Sequence, residues 1–205
     1  MATDSAVHLG KRFIRGPAVL KLLGNVKGKS IAVFGQDKGY YAGVLSGKGA
    51  RAVEIDGESA ELFDHAVLDM TLQHAQTKPQ LNRLAGDAAK VLKKDGTAII
   101  TIPHPLGAKN IETKCIKKEF PDKHAYFDRG AQIHVTLFKE DGAEMFFDDY
   151  HWTLEDYFEA LRKSGLAVTA LTEPRPKGAA VKKCDCELEH EVRQPNYIVL
   201  QAVKR

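Results

Sequence analysis

The sequence is short of cysteine, with three in 205 residues, and of tryptophan, with one. An odd number of cysteines, two of them separated by a single residue, makes a poor disulfide framework and suits a reducing, cytoplasmic setting. No apolar run approaches the roughly 18 residues that a membrane-spanning helix needs. The opening stretch, MATDSAVHLGKRFIRG, has no apolar core ahead of a small-residue cleavage site, so a secretory signal is not expected. Charge of one sign is scarce as well: a formal net charge of +3 is too small to argue for a nucleic-acid partner. Internal repeats are missing. With 43% hydrophobic and 28% charged residues, the composition excludes a disordered or collagen-like chain and fits one globular domain over 1–205.

Short apolar runs alternate with helical patterns through the first half. PAVLKLLG at 17–24 has its apolar residues at helical spacing, a proline in the first turn and Gly24 as a stop. Ser30–Phe34 is a β-branched apolar run ending at glycine, which predicts a buried strand. A helix over Tyr40–Leu45 and strands over Arg51–Asp56 and 65–70 follow. Pro79–Lys93 is amphipathic, with Leu81, Leu84, Ala88, Val91 and Leu92 on one face, and Thr97–Ile102 is the next strand. Such alternation argues for a parallel sheet covered on both faces.

The pattern loosens after Pro103. QIHVTLF and EMFFDDY flank a Lys139-Glu140-Asp141-Gly142 turn as a hairpin would. Thr153 caps LEDYFEALRKSG, with Asp156 in the capping-box position, and LAVTALTEP and NYIVLQAVK are two further strands. Between them, 175–194 is charged, poor in apolar residues and broken by glycine and proline, which predicts a mobile solvated loop.

Taken in order, these segments resemble the class I S-adenosylmethionine-dependent methyltransferases of the small-molecule branch, over about Gly16 to Lys204. LLGNVKGKSIAVFGQDKGYYAGVLSGKGARAVEID lies on the family's first strand, glycine loop, helix and acid-tipped second strand. FDHAVLDMTLQHA matches its fourth strand, LNRLAGDAAKVLKKDGTAIITIPHP its next helix and fifth strand, and HWTLEDYFEALRKSGLAVTALTEPRP its later helix and sixth strand. The resemblance implies an α/β doubly wound sheet of about six strands in the family's order 2-1-4-5-7-6, the last strand antiparallel. It implies S-adenosylmethionine as cofactor, held by Gly35, Gln36, Asp37, Gly39 and Tyr40 of the glycine loop, by Asp56 at the ribose, and by Asp69 and Met70 after the fourth strand. For Asp56, next to Gly57, a plain turn role remains open.

Three departures from the family matter. Val33 stands where the first strand usually carries an acid, and Asp37 replaces the central glycine of the loop. Only 57–63 separates the second-strand acid from the strand that matches the family's fourth, too short for a crossover through a helix. The family's third strand is therefore expected to be missing. The alternative is that Asp56-Gly57 turns the chain into an antiparallel pairing.

Methyl transfer to a hydroxyl or amine needs alignment and a base. His74, His104, His134 and His151 are candidates because an imidazole titrates near working pH. His104 and His151 are assigned as catalytic, and His74, Tyr126 and Tyr150 to the acceptor. Residues 104–151 form a substrate lid, its aromatic residues serving either as a stacking surface or as a small core of their own. Cys184, Cys186 and His190, with Cys115 or Glu189, do not follow a standard zinc spacing, and no metal is assigned. Three readings compete: a methyltransferase acting on a small molecule, a non-catalytic partner subunit of the same fold in a homo-oligomer or heteromer, and the same fold turned to another reaction.

Overall fold

The structure, a computed structural model, describes residues 10–35, 38–57, 59–107, 109–113, 116–138, 142–176 and 194–205. The loop residues Gln36 and Asp37, the cysteines and most of the 175–194 segment lie outside the described residues. A π-helical turn, Lys11–Arg15, runs into helix α1 (Gly16–Leu23), which has proline in its first turn and ends at Gly24 with φ +68°. Then follow β1 (Ser30–Phe34), α2 (Lys38–Gly47), β2 (Arg51–Glu54), β3 (Phe63–Asp69), a 3-10 turn at Leu72–His74, α3 (Lys78–Lys90) and β4 (Leu92–Pro103). The second half comprises β5 (Ile116–Glu119), β6 (Gln132–Phe138), β7 (Glu144–Tyr150), α4 (Leu154–Lys163), β8 (Leu166–Thr172) and β9 (Tyr197–Lys204).

Six strands form the main sheet in the order β2-β1-β3-β4-β9-β8, with β9 antiparallel to both neighbours and the rest parallel. This is the expected family order. The remaining strands, β5-β6-β7, form a separate antiparallel sheet. Its β6–β7 hairpin matches the expectation; β5 was not legible, because IKKE carries one apolar residue.

Strand alternation distributes the core between two faces. Ile31 and Val33 of β1, Val67 of β3 and Ile99 of β4 point to one side, where they pack with Val19 and Leu23 of α1 and Tyr41 and Leu45 of α2. Ala32, Phe34, Ala66, Leu68 and Ile100 point to the other, against Leu81, Ala85 and Ala88 of α3 and Tyr157, Ala160 and Leu161 of α4. Two helices on each face of the sheet make a three-layer molecule.

The connection from β2 to β3 decides the shape of the site. Among its described residues no strand or helix intervenes, and β2 pairs parallel with β1, so the antiparallel alternative does not occur. The link is tied to the start of β2 where Glu61 pairs with Arg51. Among the described residues, the second face of β1 is met by α3, and no crossover helix lies between β2 and β3 to extend that cover over β2.

Several boundaries moved by a few residues, β2 ending at Glu54 rather than Asp56 among them, and the largest shift is at the junction of α3 and β4. Helix α3 stops at Lys90 rather than Lys93, because Asp95 adopts φ +61° beside Gly96 and lets the chain enter the sheet at Leu92. Strand β4 is longer than expected at that end, with a register shift between Phe63 and His65 of its partner.

Candidate active site

An open α/β sheet exposes its strand carboxyl ends where ligands bind. Here a cleft of about 800 Å³ opens beyond β1, β2 and β3. Its floor is Phe34, Gly35, Ile55, Asp56, Gly57 and Leu68, and its far wall is the α3 face bearing Gln80, Arg83, Leu84, Asp87 and Lys90, with Thr71 and His74 at the end of β3. The missing crossover helix accounts for the opening, since α3 reaches the β2 side of the sheet only across a gap.

Gly35 is required by geometry. It has φ +117°, and a Cβ there would lie 2.8 Å from the Asp69 carbonyl oxygen. The ends of β1 and β3 thus approach as backbones. Gly39, in the first turn of α2, has nothing within 4 Å of a Cβ, so no packing demands it. Asp56 is exposed on the cleft rim.

Asp69 is differently placed from the sequence expectation. Its carboxylate is buried and already occupied: Arg15 Nε donates to Oδ1 at 2.9 Å, the Thr101 hydroxyl at 2.7 Å and the Tyr41 hydroxyl at 3.3 Å, while Lys11 Nζ stands 3.4 Å from Oδ2. Burial alone would push this carboxyl up, but Arg15 and Lys11 outweigh it and hold it below the usual carboxylate range. Burial likewise pushes the Tyr41 phenol up. Lys11 also lies 5.7 Å from the ring centres of Tyr40 and Tyr41. Asp69 therefore fastens the N-terminal turn over the sheet. Lys11 and Arg15 were missed from sequence; their i, i+4 spacing with Ile14 between was the available signal.

Met70 adopts φ +49°, a conformation uncommon outside glycine, and is held there by its N–H donating to Thr101 Oγ1 at 2.8 Å. Its carbonyl accepts from Gln73 Nε2 at 2.8 Å. This turn carries His74 to the cleft.

A second cavity, of about 30 Å³, is roofed by the small sheet. Pro103, His104, Asn196, Trp152 and Tyr157 form its base, and Lys118, Ile133, Asp149, Tyr150 and His151 its roof. That volume holds about one water molecule. His104 and His151, the assigned catalytic pair, both face it. Three of their four ring nitrogens are engaged, however. His104 Nδ1 accepts from the Leu106 N–H at 3.1 Å, and Nε2 lies 3.0 Å from Glu173 Oε1. His151 Nε2 donates to the Tyr126 carbonyl at 2.8 Å, and burial pushes its imidazole down. Tyr126 accepts from the Leu154 N–H at 3.1 Å through its hydroxyl, bracing the start of α4. His134 sits on the exposed side of β6, 2.7 Å from Asp148 Oδ1.

The aromatic residues of this region divide. Ile133, Val135 and Leu137 make a small core with Ile116, Phe120 and Phe147, whereas Phe127 and Phe146 are exposed. Trp152, just past β7, is buried in the main core, its Nε1 donating to the Ala75 carbonyl at 2.9 Å.

Sequence reasoning passed over Asp149. It sits opposite Ile133 in the β6–β7 ladder, a carboxylate on the apolar side of the hairpin, 4% exposed. Burial pushes its carboxyl up, against the pull of Lys118 and His74. The period-2 alternation of EMFFDDY, which puts Asp149 on the same face as Phe147, was the signal.

No protein-family model matches the chain, and no curated protein matches its sequence. Solved structures do match. A protein from Listeria monocytogenes described as an S-adenosylmethionine-dependent methyltransferase is similar with TM-score 0.66 at 16% identity, over 93% of this chain and 96% of that one. An S-adenosylmethionine-dependent methyltransferase from Mesorhizobium loti has TM-score 0.61 at 16% identity, over 92% and 96%. A sugar N-methyltransferase from a Streptoalloteichus species has TM-score 0.58 at 15% identity, over 92% and 84%. The chain has the Rossmann-like fold of these methyltransferases.

Proposed function

We propose that this protein transfers a methyl group from S-adenosylmethionine to a small-molecule acceptor. One observation carries the reading: the cleft of about 800 Å³ lies where an open α/β sheet binds its ligand, with Gly35 and Asp56 on its floor and rim. The residues fit the adenosyl part of the cofactor. Ile55, Leu68 and Leu84 offer apolar walls, and Asp56 offers a carboxylate to two vicinal hydroxyls. Gly39 and Tyr40, with Gln36 and Asp37 beside them, would receive the methionine part, and Met70 would border it. Asp69 would act indirectly, through the turn it holds with Lys11 and Arg15.

When bound, the cofactor supplies an electrophilic methyl on a positively charged sulfur. The chain's task is to orient an acceptor against it and keep water away. In this reading the segment 104–151 is a lid of one domain, and His104, His151 and Tyr150 wall the water-sized cavity beneath it, which would have to widen toward the cleft to admit an acceptor. Among the described residues no helix is long and apolar enough to cross a membrane; the acceptor in this reading is a small metabolite met in the cytoplasm. The sugar N-methyltransferase among the structural neighbours supports the same class of acceptor.

Calorimetric titration with S-adenosylmethionine and S-adenosylhomocysteine tests the proposal. Both are expected to bind, and Asp56→Ala to weaken each by about 30-fold or more, the loss of ~2 kcal/mol in charge-assisted hydrogen bonds. Absence of binding by the unaltered protein would remove the enzyme reading. It would favour the non-catalytic partner subunit, which the occupation of Asp69 by the chain's own cations also supports.

A further inference from the structure

The large cleft and the small cavity are neighbours, and one pair of side chains stands between them. His74 lines the cleft, and Asp149 lines the cavity. His74 Nδ1 lies 3.3 Å from Asp149 Oδ1 and 3.4 Å from the Asp148 carbonyl oxygen. Asp149 is 4% exposed, and its Oδ1 has no hydrogen-bond partner despite burial. An orphaned buried carboxylate oxygen costs stability and calls for a function. The carbonyl can only accept, so Nδ1 carries the ring hydrogen and Nε2 keeps the lone pair. Among the described residues Nε2 makes no hydrogen bond, and the side chain is 26% exposed. Phe147 holds the ring edge-on, with centroids 5.9 Å apart.

Resting on the methyl-transfer reading, we propose that His74 is the base that takes the acceptor's proton, with the Asp149 carboxylate beside it to balance the charge it acquires. The acceptor is then a small molecule presenting a neutral amine or a hydroxyl at the boundary of the two cavities. Its nitrogen or oxygen forms a bond to the methyl carbon as the methyl–sulfur bond breaks, the electron pair going to sulfur. Its proton goes to Nε2. The positive charge lost from sulfur reappears on the imidazolium, beside the Asp149 carboxylate. The Asp148 carbonyl fixes the ring through Nδ1, and the Asp149 carboxylate, within ion-pair range of the same nitrogen, favours the charge that the ring takes up. Other charged or titratable groups near the pair are Asp148 on β7, Lys118 on β5, Tyr157 on α4, and Asp56, Arg83 and the Asp87–Lys90 pair around the cleft.

Three measurements on the full chain test this. In protein labelled with ¹⁵N-histidine, the His74 signal, assigned by its loss in His74→Gln, should show Nδ1 protonated and Nε2 free near neutral pH. The opposite tautomer would overturn the proposal without any reference to activity. Label transfer from methyl-labelled S-adenosylmethionine into a cell metabolite extract should fall by about 100-fold or more in His74→Gln and about tenfold in Asp149→Asn. Cofactor affinity by calorimetry should stay within about twofold in both variants, since neither group is assigned to the cofactor. Asp149→Asn should lower kcat while leaving the KM for the cofactor within about twofold, a split that a purely structural role would not produce. Retained transfer in His74→Gln would overturn the assignment, and so would loss of transfer in step with loss of cofactor binding. A protein that binds the cofactor yet labels nothing fails this inference while sparing the cofactor site. A protein that binds no cofactor fails the reading beneath it.

Discussion

At the scale of single residues, Asp69 joins electrostatics to architecture. One buried carboxylate serves two buried cations, so removing its charge leaves Arg15 without its ion pair inside the protein. Breaking a buried pair by deleting one partner is costly, and Asp69→Asn should lower unfolding stability by about 3–5 kcal/mol. Urea denaturation would show it, and a loss below about 1 kcal/mol would mean that water reaches the cations. Gly35 gives a second test. Gly35→Ala combines a left-handed φ with a contact of 2.8 Å to the Asp69 carbonyl, and should cost about 2 kcal/mol or more. Gly39→Ala, which meets nothing and sits in a helix, should instead be neutral or stabilising by up to about 1 kcal/mol. The contrast separates a glycine required by backbone approach from one that packing leaves free.

At the scale of elements, α4 shows how a helix start can tie a molecule together. Thr153 and Asp156 form a reciprocal capping box. The same Asp156 carboxylate takes Lys78 of α3 at 2.6 Å and Arg129 at 2.9 Å. Burial pushes this carboxyl up, but Lys78, the Thr153 hydroxyl and the Thr153 N–H pull it down to about 2. The folded value lies below the unfolded 3.8, so its contribution is present above about pH 4 and is lost as pH falls toward 2. Asp156→Ala should cost about 2–4 kcal/mol at pH 7. The deficit relative to the unaltered protein should shrink in acid, as thermal melts at pH 7 and pH 2.5 would show. A deficit independent of pH would assign the effect to packing alone.

For the molecule as a whole, the region that carries the small sheet is expected to loosen in mild acid. His124 and His151 meet edge-to-face with ring centres 4.5 Å apart, and burial, first among the causes, pushes both imidazoles below 6.5. The backbone of His151 anchors the same region, accepting from Gly130 N–H and donating to the Ala131 carbonyl. A depressed histidine favours the neutral form, so stability is full above about pH 6.5 and declines as pH falls below it. Lowering pH from 7 to 5 should speed backbone hydrogen exchange in 124–152 once corrected for intrinsic rates, while β1, β3 and β4 remain protected. Equal acceleration in both sheets would show that the histidines do not control this region. The cation of Lys109 and the carboxylate of Asp128 lie near enough to influence the same titration.

The sequence alone determined the main sheet. Ser30–Phe34, Phe63–Asp69 and the last strand announce themselves as apolar runs, because strands buried on both faces have no polar side to interrupt them. The capping box at Thr153 was legible for a similar reason: its signal is confined to four neighbouring residues. The short link after Asp56 was legible too, since chain length alone rules out a helical crossover. Tertiary structure decided what those signals could not contain. Strand β5 follows from its partner β6 rather than from its own composition. Lys11 and Arg15 read as ordinary surface cations until the fold brings them to Asp69, more than fifty positions away. Asp149 and His74 lie on different elements, and no local pattern marks them as a pair. They meet because the small sheet folds over the carboxyl end of β3, and such long-range contacts are set by packing rather than by any window of sequence.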